Sequence, residues 1–206
     1  MKEVLPNMKK IPTLFKRTFD SNKVKFVYNE ITPGCEAALG PESIPTLKID
    51  GACCAIIDGI FYKRYDAKNN KPIPKNAIKC QETADPITGH LPCWVPCNID
   101  DPSDKWFISA YNNTSIKSDG TYEAIGPHFR NNAYSLDKDI LVPHGKITVP
   151  LLTKTFDGIK SFLEKKYETG NGIEGIVFWL DGKPLCKIKS SDFGIPWQEK
   201  PAKITP

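Results

Sequence analysis

The chain, 206 residues long, predicts an α+β fold of mainly antiparallel sheets with few helices. Two Asp-Gly pairs, Asp58-Gly59 and Asp181-Gly182, each lie between β-prone runs, which is the strongest short-range hairpin signal. Only one segment, from about Thr155 to Glu168, spaces its apolar residues as a helix does. Strands therefore dominate, and a length close to the usual size of one domain, about 100 to 200 residues, predicts a single domain over 1–206 with peripheral segments at 1–22 and 190–206.

The elements follow in order. KVKFVYNEI (23–31) alternates as a strand does, and ACCAII and IFYKRYD flank the Asp58-Gly59 turn. Residues 66–104 are rich in Pro, Asn, Asp and Lys and predict irregular connections around a compact LPCWVPC segment. WFISAYN (106–112) and TYEAIG (121–126) read as strands joined by the polar loop NNTSIKSDG. In the helix, Phe156, Ile159, Phe162, Leu163 and Tyr167 fall near one face, and Gly170 supplies a left-handed stop. IEGIVFWL and KPLCKIK then form the second hairpin around Asp181-Gly182.

Composition excludes some classes. With 40% hydrophobic and 25% charged residues the chain reads as globular rather than disordered, and no apolar run approaches the ~20 residues of a membrane-crossing helix. The N-terminal stretch has no signal-like apolar core, so a cytoplasmic protein with seven reduced cysteines is expected. Cys93 and Cys97 have a CxxxC spacing, but no second Cys/His pair follows at zinc-finger spacing, which favours structural roles. A net charge of +4 permits a polyanionic partner and selects neither RNA nor DNA. The histidines at 90, 128 and 144 are not spaced as a metal set, and Trp94, Phe178 and Trp179 are candidates for core packing, adenine stacking or single-strand RNA contacts.

Counting outward from Asp181-Gly182 pairs Leu180 with Lys183, Ile176 with Lys187 and Glu174 with Lys189, so Glu174, Lys187 and Lys189 share a face. That face is either a set of solvated cross-strand ion pairs or a phosphate site with a metal-associated carboxylate. Lys-x-Asp-Gly occurs twice, at Lys48–Gly51 and Lys117–Gly120. A lysine nucleophile needs neighbouring cations or desolvation, because its ordinary pKa leaves it protonated. Lys117 lies in a polar loop and should be solvated, whereas Lys48 follows apolar IPTL and precedes a buried-looking strand. Lys48 is therefore the candidate.

With Lys48, Glu123, Glu174 and the Lys187/Lys189 pair in order, the chain resembles the covalent nucleotidyltransferase superfamily of polynucleotide ligases and capping enzymes. TLKIDG, YEAIGP, IEGIVFW and LCKIK are similar to its motifs I, III, IV and V. KIDGACC, RYDAK, HLPCWVPC, ILVPHG and FGIPW further resemble the stand-alone RNA ligases with vertebrate and viral members, over roughly residues 40 to 198. The resemblance implies a nucleotidyltransferase (ATP-grasp-like ligase) core without an OB-fold domain, since 17 residues follow Lys189. It implies ATP and Mg²⁺ or Mn²⁺ as cofactors, and RNA 5′-phosphate and 3′-hydroxyl ends as partners of a monomer.

By that likeness Lys48 is the nucleophile that carries AMP, flanked by Thr46 and Leu47 at the nucleotide. Asp50 orients the lysine or its loop, Glu123 meets the ribose, Glu174 the metal or nucleotide, and Lys187 and Lys189 the phosphates. Arg64 contacts the nucleotide or the RNA end, or is a surface arginine, and His144 makes a nucleotide or a structural contact. Cys53 counts opposite Arg64 on an odd-numbered face while Lys48 is even, a conflict that a break at Gly51 resolves. A DNA ligase, a capping-type guanylyltransferase and a non-catalytic RNA- or nucleotide-binding module are the alternatives.

Overall fold

Antiparallel pairing dominates the computed structural model, which describes residues 10–20, 23–68, 72–86, 88–115 and 117–197. Of the segments expected to be peripheral, residues 1–9, 21–22 and 198–206 lie outside the described residues. The strands and helices are β1 (Phe15–Asp20), β2 (Lys23–Ile31), β3 (Ile44–Lys48), β4 (Ala52–Ile57), β5 (Ile60–Ala67), β6 (Ile78–Lys79), β7 (Leu91–Pro96), α1 (Lys105–Asn113), β8 (Gly120–Ile125), β9 (Ile140–Pro143), α2 (Phe156–Glu168), β10 (Gly175–Leu180) and β11 (Lys183–Lys189). The fold is α+β, and the chain groups into two compact units, one built on Asp50–His144 and the other on Ile11–Ile49 and Gly145–Thr205.

The first unit is a six-stranded sheet in the order β6-β7-β5-β4-β8-β9. At its centre Ile57 pairs with Ile60, and Asp58 and Gly59 both take positive φ (51° and 73°), as a two-residue turn between twisted strands requires. One face buries Cys54, Ile56, Phe61, Tyr122 and Ala124. The opposite face carries Ala55, Ile57, Tyr62 and Trp94, with Cys53 beside them.

Two expectations in this unit are corrected. WFISAYN is the helix α1, because Phe107, Ala110 and Tyr111, at helical spacing, pack on the first face of the sheet. A 3-10 turn, Pro102–Asp104, leads into α1 and is capped by Asp101, whose side chain accepts from the Ser103 N–H at 2.9 Å. Residues 66–104 are not only irregular connections: β5 runs on to Ala67, Trp94 is a core residue, and LPCWVPC forms β7, which pairs with β5 along six residues. Its flanking prolines, Pro92 and Pro96, disguised an interior strand.

The second unit contains the sheet β11-β10-β3, the ribbon β1-β2 and α2. Helix α2 starts where expected, with the Thr155 hydroxyl accepting from the Gly158 N–H at 3.1 Å. It ends just before Gly170, whose φ is 74°. Leu14, Phe15, Ser190 and Asp192 are buried, so the described parts of the two terminal segments contribute to this core.

The register of the second hairpin also differs from the count. Leu180 pairs with Lys183 and Trp179 with Pro184, but Phe178 then pairs with Cys186, leaving Leu185 as an extra residue. Pro184 has no N–H for the ladder, and the bulge falls next to it. Ile176 consequently faces Ile188, Val177 faces Lys187, and Gly175 faces Lys189. Phe178 is wholly buried and belongs to the core.

Candidate active site

The second unit gathers three of the lysines singled out above around one carboxylate. On its other edge β10 pairs with β3, so that Gly175 faces Lys48 as well as Lys189, and Val177 faces Thr46 as well as Lys187. Residues directly opposite share a face, which places Lys48, Lys187 and Lys189 together. Glu174 precedes β10 and does not follow its alternation. Lys48 Nζ donates to Glu174 Oε2 at 2.6 Å, and Lys189 Nζ lies 2.8 Å from Oε1. The carboxylate is 5% exposed, so both ammonium groups neutralise a charge that water scarcely reaches.

Gly175 makes this convergence possible. A Cβ at that position would lie 2.1 Å from the Ile188 carbonyl oxygen and 2.8 Å from Lys189 Cα, so only glycine allows the strands to close there. Ser190 fastens the same corner, with its N–H on the Glu174 carbonyl at 2.9 Å and its hydroxyl on the Ile173 carbonyl at 2.7 Å.

Lys187 is the perturbed member of the set. Burial pushes its pKa down to about 8, the positive charges of Lys48, Lys189 and Arg17 push the same way, and Glu174 opposes them. Thr46 is buried with its hydroxyl on the Val177 carbonyl at 3.1 Å, and the Leu47 N–H donates to the Ile147 carbonyl at 2.7 Å. Both secure β3. Trp179 stacks against Gly145, where a Cβ would approach its ring to 2.8 Å, so the glycine of LVPHG makes room for an aromatic side chain.

The first unit holds the remaining candidates. Cys53 pairs with Glu123 across β4 and β8, and the charge of Arg64 acts directly on the Cys53 thiol. Arg64 Nε donates to Asp66 at 2.9 Å, and His144 Nε2 lies 2.8 Å from Glu123 Oε2. One donor atom each from Cys53, Glu123 and His144 lie within 4.8 Å of one another, and burial raises the Cys53 thiol far above its ordinary pKa, with Glu123 adding to the effect. A cavity of about 420 Å³ is lined by Gly51, Cys53, Arg64, Glu123, His128 and Arg130, within the range that holds small ligands.

Asp50 belongs to this unit, so the division falls inside Lys48-Ile49-Asp50-Gly51 itself. The Asp50 N–H donates to the Tyr134 hydroxyl at 2.7 Å, and its carboxylate lies 3.7 Å from Arg130 Nε. The conflict of parity between Lys48 and Arg64 disappears for the same reason: they stand on different sheets, and alternation along one strand does not relate them. Gly51 sits where the chain leaves β3 for β4, against the Ala124 carbonyl oxygen, 2.3 Å from where a Cβ would be.

Lys117 is exposed, with Nζ 4.2 Å from the centre of the Tyr111 ring, and Asp119 accepts from the N–H groups of Asp58 and Gly59. The second Lys-x-Asp-Gly is thus a brace for the first hairpin. Arg17, Asp192, Tyr134 and Arg130 carry no spacing signal in the sequence. Each meets its partner through a contact between segments that are remote in sequence, and only the runs of apolar residues around them carry a local signal. Comparison of the chain with protein-family models and with curated proteins gives no match.

Proposed function

We propose that the chain is an ATP-dependent RNA ligase that works through a lysyl-AMP formed on Lys48. The observation that carries this reading is the buried Glu174 held between Lys48 and Lys189, with the desolvated Lys187 beside them. Three lysines around one carboxylate leave a surplus of positive charge, which suits a polyphosphate better than a solvated ion-pair ladder does.

In the first step the proton on Lys48 passes to Glu174 Oε2, its 2.6 Å neighbour. The Lys48 amine then attacks the α-phosphorus of ATP, a P–N bond forms, the bond to pyrophosphate breaks, and the remaining excess proton on the nitrogen leaves with pyrophosphate or to solvent. Lys187 and Lys189 stabilise the charge that leaves with pyrophosphate. In the second step an oxygen of the RNA 5′-phosphate attacks the AMP phosphorus, the P–N bond breaks, and Lys48 leaves as the amine after taking back the proton from Glu174. In the third, a 3′-hydroxyl attacks that 5′-phosphate, closing the phosphodiester and releasing AMP. Arg64 and Glu123, which line the cavity of the first unit, are assigned to nucleotide or RNA-end contacts, with His144 holding Glu123 in place.

A magnesium ion held by the protein alone does not fit Glu174, since both carboxylate oxygens already carry ammonium groups. Mg²⁺ or Mn²⁺ would instead enter with the ATP phosphates and offset their charge.

A second reading has its own observation. Burial destabilises the Lys187 ammonium, which makes this lysine a rival nucleophile to Lys48. Incubation with α-labelled ATP and Mg²⁺ decides between them. The proposal expects an acid-labile adduct that is absent in Lys48→Ala and maps to Lys48 by mass spectrometry. Label on Lys187, or an unlabelled wild type, overturns it. Labelled GTP, and joining of 5′-phosphorylated RNA beside matching DNA, test the guanylyltransferase, DNA ligase and non-catalytic alternatives.

A further inference from the structure

Arg17, on β1, plays no part in the motifs, yet it is tied to the lysine cluster. Its Nε and Nη2 donate to Asp192 Oδ1 at 3.1 and 2.7 Å, and Asp192 Oδ2 accepts the Lys189 N–H at 2.8 Å. Asp192 is 5% exposed and Arg17 27%, so this charge-assisted fork is largely shielded from solvent. The same N-terminal stretch grips Lys187 directly: the Lys187 N–H donates to the Pro12 carbonyl at 3.0 Å, and the Leu14 N–H to the Lys187 carbonyl at 2.7 Å. Thr13 forms a parallel bridge to Lys187, and Leu14 and Phe15 are buried next in sequence.

We propose that Arg17 is a positioning residue for nucleotidyl transfer, fixing Lys189 through Asp192, and that residues 12–17 are a working part of the lysine cluster. This rests on the ligase reading above. The end of β11 is fastened by its pairing with Gly175 and by the Ser190 bonds to Glu174 and Ile173, and Asp192 adds a hold on the Lys189 N–H. Lys189 is its last residue, Ser190 begins a single 3-10 turn, and the side chain of Lys189 reaches Glu174 only if its main chain is held. Asp192 shares in that hold, and Arg17 fixes Asp192 in the orientation that points Oδ2 at the Lys189 N–H. Its guanidinium also adds to the positive field on Lys187, alongside Lys48 from β3 and Lys189 from β11, with Glu174 as the opposing charge.

Released from Asp192, Lys189 would lose its fixed place at the leaving group, and misplacement of about 1 Å can cost on the order of a hundredfold in rate. A merely structural arginine would lower stability and leave the chemistry of the folded fraction unchanged.

The test compares the wild-type chain with Arg17→Gln, Arg17→Lys and Asp192→Asn. Single-turnover formation of the AMP adduct is followed against pH, with the KM for ATP and urea unfolding measured in parallel. In ¹³C-lysine-labelled protein, NMR titration follows the Lys187 side chain directly. The inference expects Arg17→Gln and Asp192→Asn to slow adduct formation at least about tenfold per folded molecule. Arg17→Lys should recover part of the rate, and the Lys187 titration should move to higher pH in Arg17→Gln. Unchanged rate and unchanged Lys187 titration in folded Arg17→Gln overturn it. If Arg17→Gln does not fold, equal rates in Asp192→Asn and wild type overturn it instead. A wild type that takes no label while the Lys187 titration still shifts sinks the ligase reading and leaves the coupling of Arg17 to Lys187 standing.

Discussion

Lys48 Nζ sits 2.6 Å from Glu174 Oε2, on a carboxylate almost wholly removed from water. With Glu174 removed, Lys48 and Lys189 would repel each other beside a buried gap, since one carboxylate neutralises both. Breaking such a pair from one side costs about 3 kcal/mol or more, far beyond an exposed ion pair. Glu174→Ala is therefore expected to lower the urea midpoint strongly and to abolish the AMP adduct. Glu174→Gln, which keeps the shape and loses the charge, should recover part of the stability and none of the adduct.

The pH dependence follows from Lys187. Its folded-state pKa is lowered to about 8 from an ordinary 10.5, so the unfolded chain binds more protons between those values. Stability therefore rises with pH across that interval, and the penalty of the buried ammonium is fully present below about 8. Each tenfold difference in proton affinity corresponds to about 1.4 kcal/mol. Urea unfolding of wild type and Lys187→Met at pH 7, 8.5 and 10 should show the wild type gaining on the variant as pH rises. A constant difference would mean that Lys187 is not desolvated.

The two hairpins and the long helix were legible because their signals are local. Asp58-Gly59 and Asp181-Gly182 adopt positive φ, and Thr155 and Gly170 mark the two ends of α2. The meeting of Glu174 with Lys189 was also anticipated, although by a register that the bulge at Leu185 overturns. What survives is the company of the residues, set by Gly175 and the corner at Ser190 rather than by alternation. WFISAYN reads as a strand because a short, largely apolar segment of seven residues fits a strand or a helix face equally well. The contact of Arg17 with Asp192 joins residues 175 positions apart, and no pattern of spacing announces it.

Gly175 offers a test of that corner. An alanine methyl would fall 2.1 Å from the Ile188 carbonyl oxygen, a backbone atom that cannot turn aside. Gly175→Ala should part β10 from β11, at a cost of about 3 kcal/mol for the overpacked strand pair. Thermal unfolding measures the cost. At temperatures where the variant is folded, adduct formation should still fall at least about tenfold, because Lys189 leaves Glu174.

Under the proposed reading, Glu123 and His144 would bear on nucleotide contacts apart from the lysine chemistry. Their side chains pair at 2.8 Å in the first unit, whereas the lysine cluster belongs wholly to the second. Loss of a uniform binding contact raises KM and leaves the chemical step alone. Glu123→Gln is expected to raise the KM for ATP in adduct formation about tenfold, with the saturated rate within about threefold of wild type. His144→Ala should act in the same direction and more weakly. A fall in the saturated rate with an unchanged KM would remove the assignment of Glu123 to the nucleotide.

The second Lys-x-Asp-Gly reverses the importance of its residues relative to the first. Asp119 accepts the N–H groups of Asp58 and Gly59 at 2.8 and 3.1 Å, closing a turn whose first residue is a non-glycine at positive φ. Losing both acceptors leaves two donors to water and frees a strained turn, which amounts to about 1 to 2 kcal/mol. Asp119→Ala should therefore lower stability by that amount in urea unfolding. Lys117 is exposed on the Tyr111 ring, and Lys117→Ala, which gives up that contact, should change stability by less than about 0.5 kcal/mol. Neither substitution should reduce the AMP adduct of the folded protein. Were Lys117→Ala to abolish it while Lys48→Ala retained it, the nucleophile would lie in the loop after α1 and the reading of the cluster around Glu174 would fall.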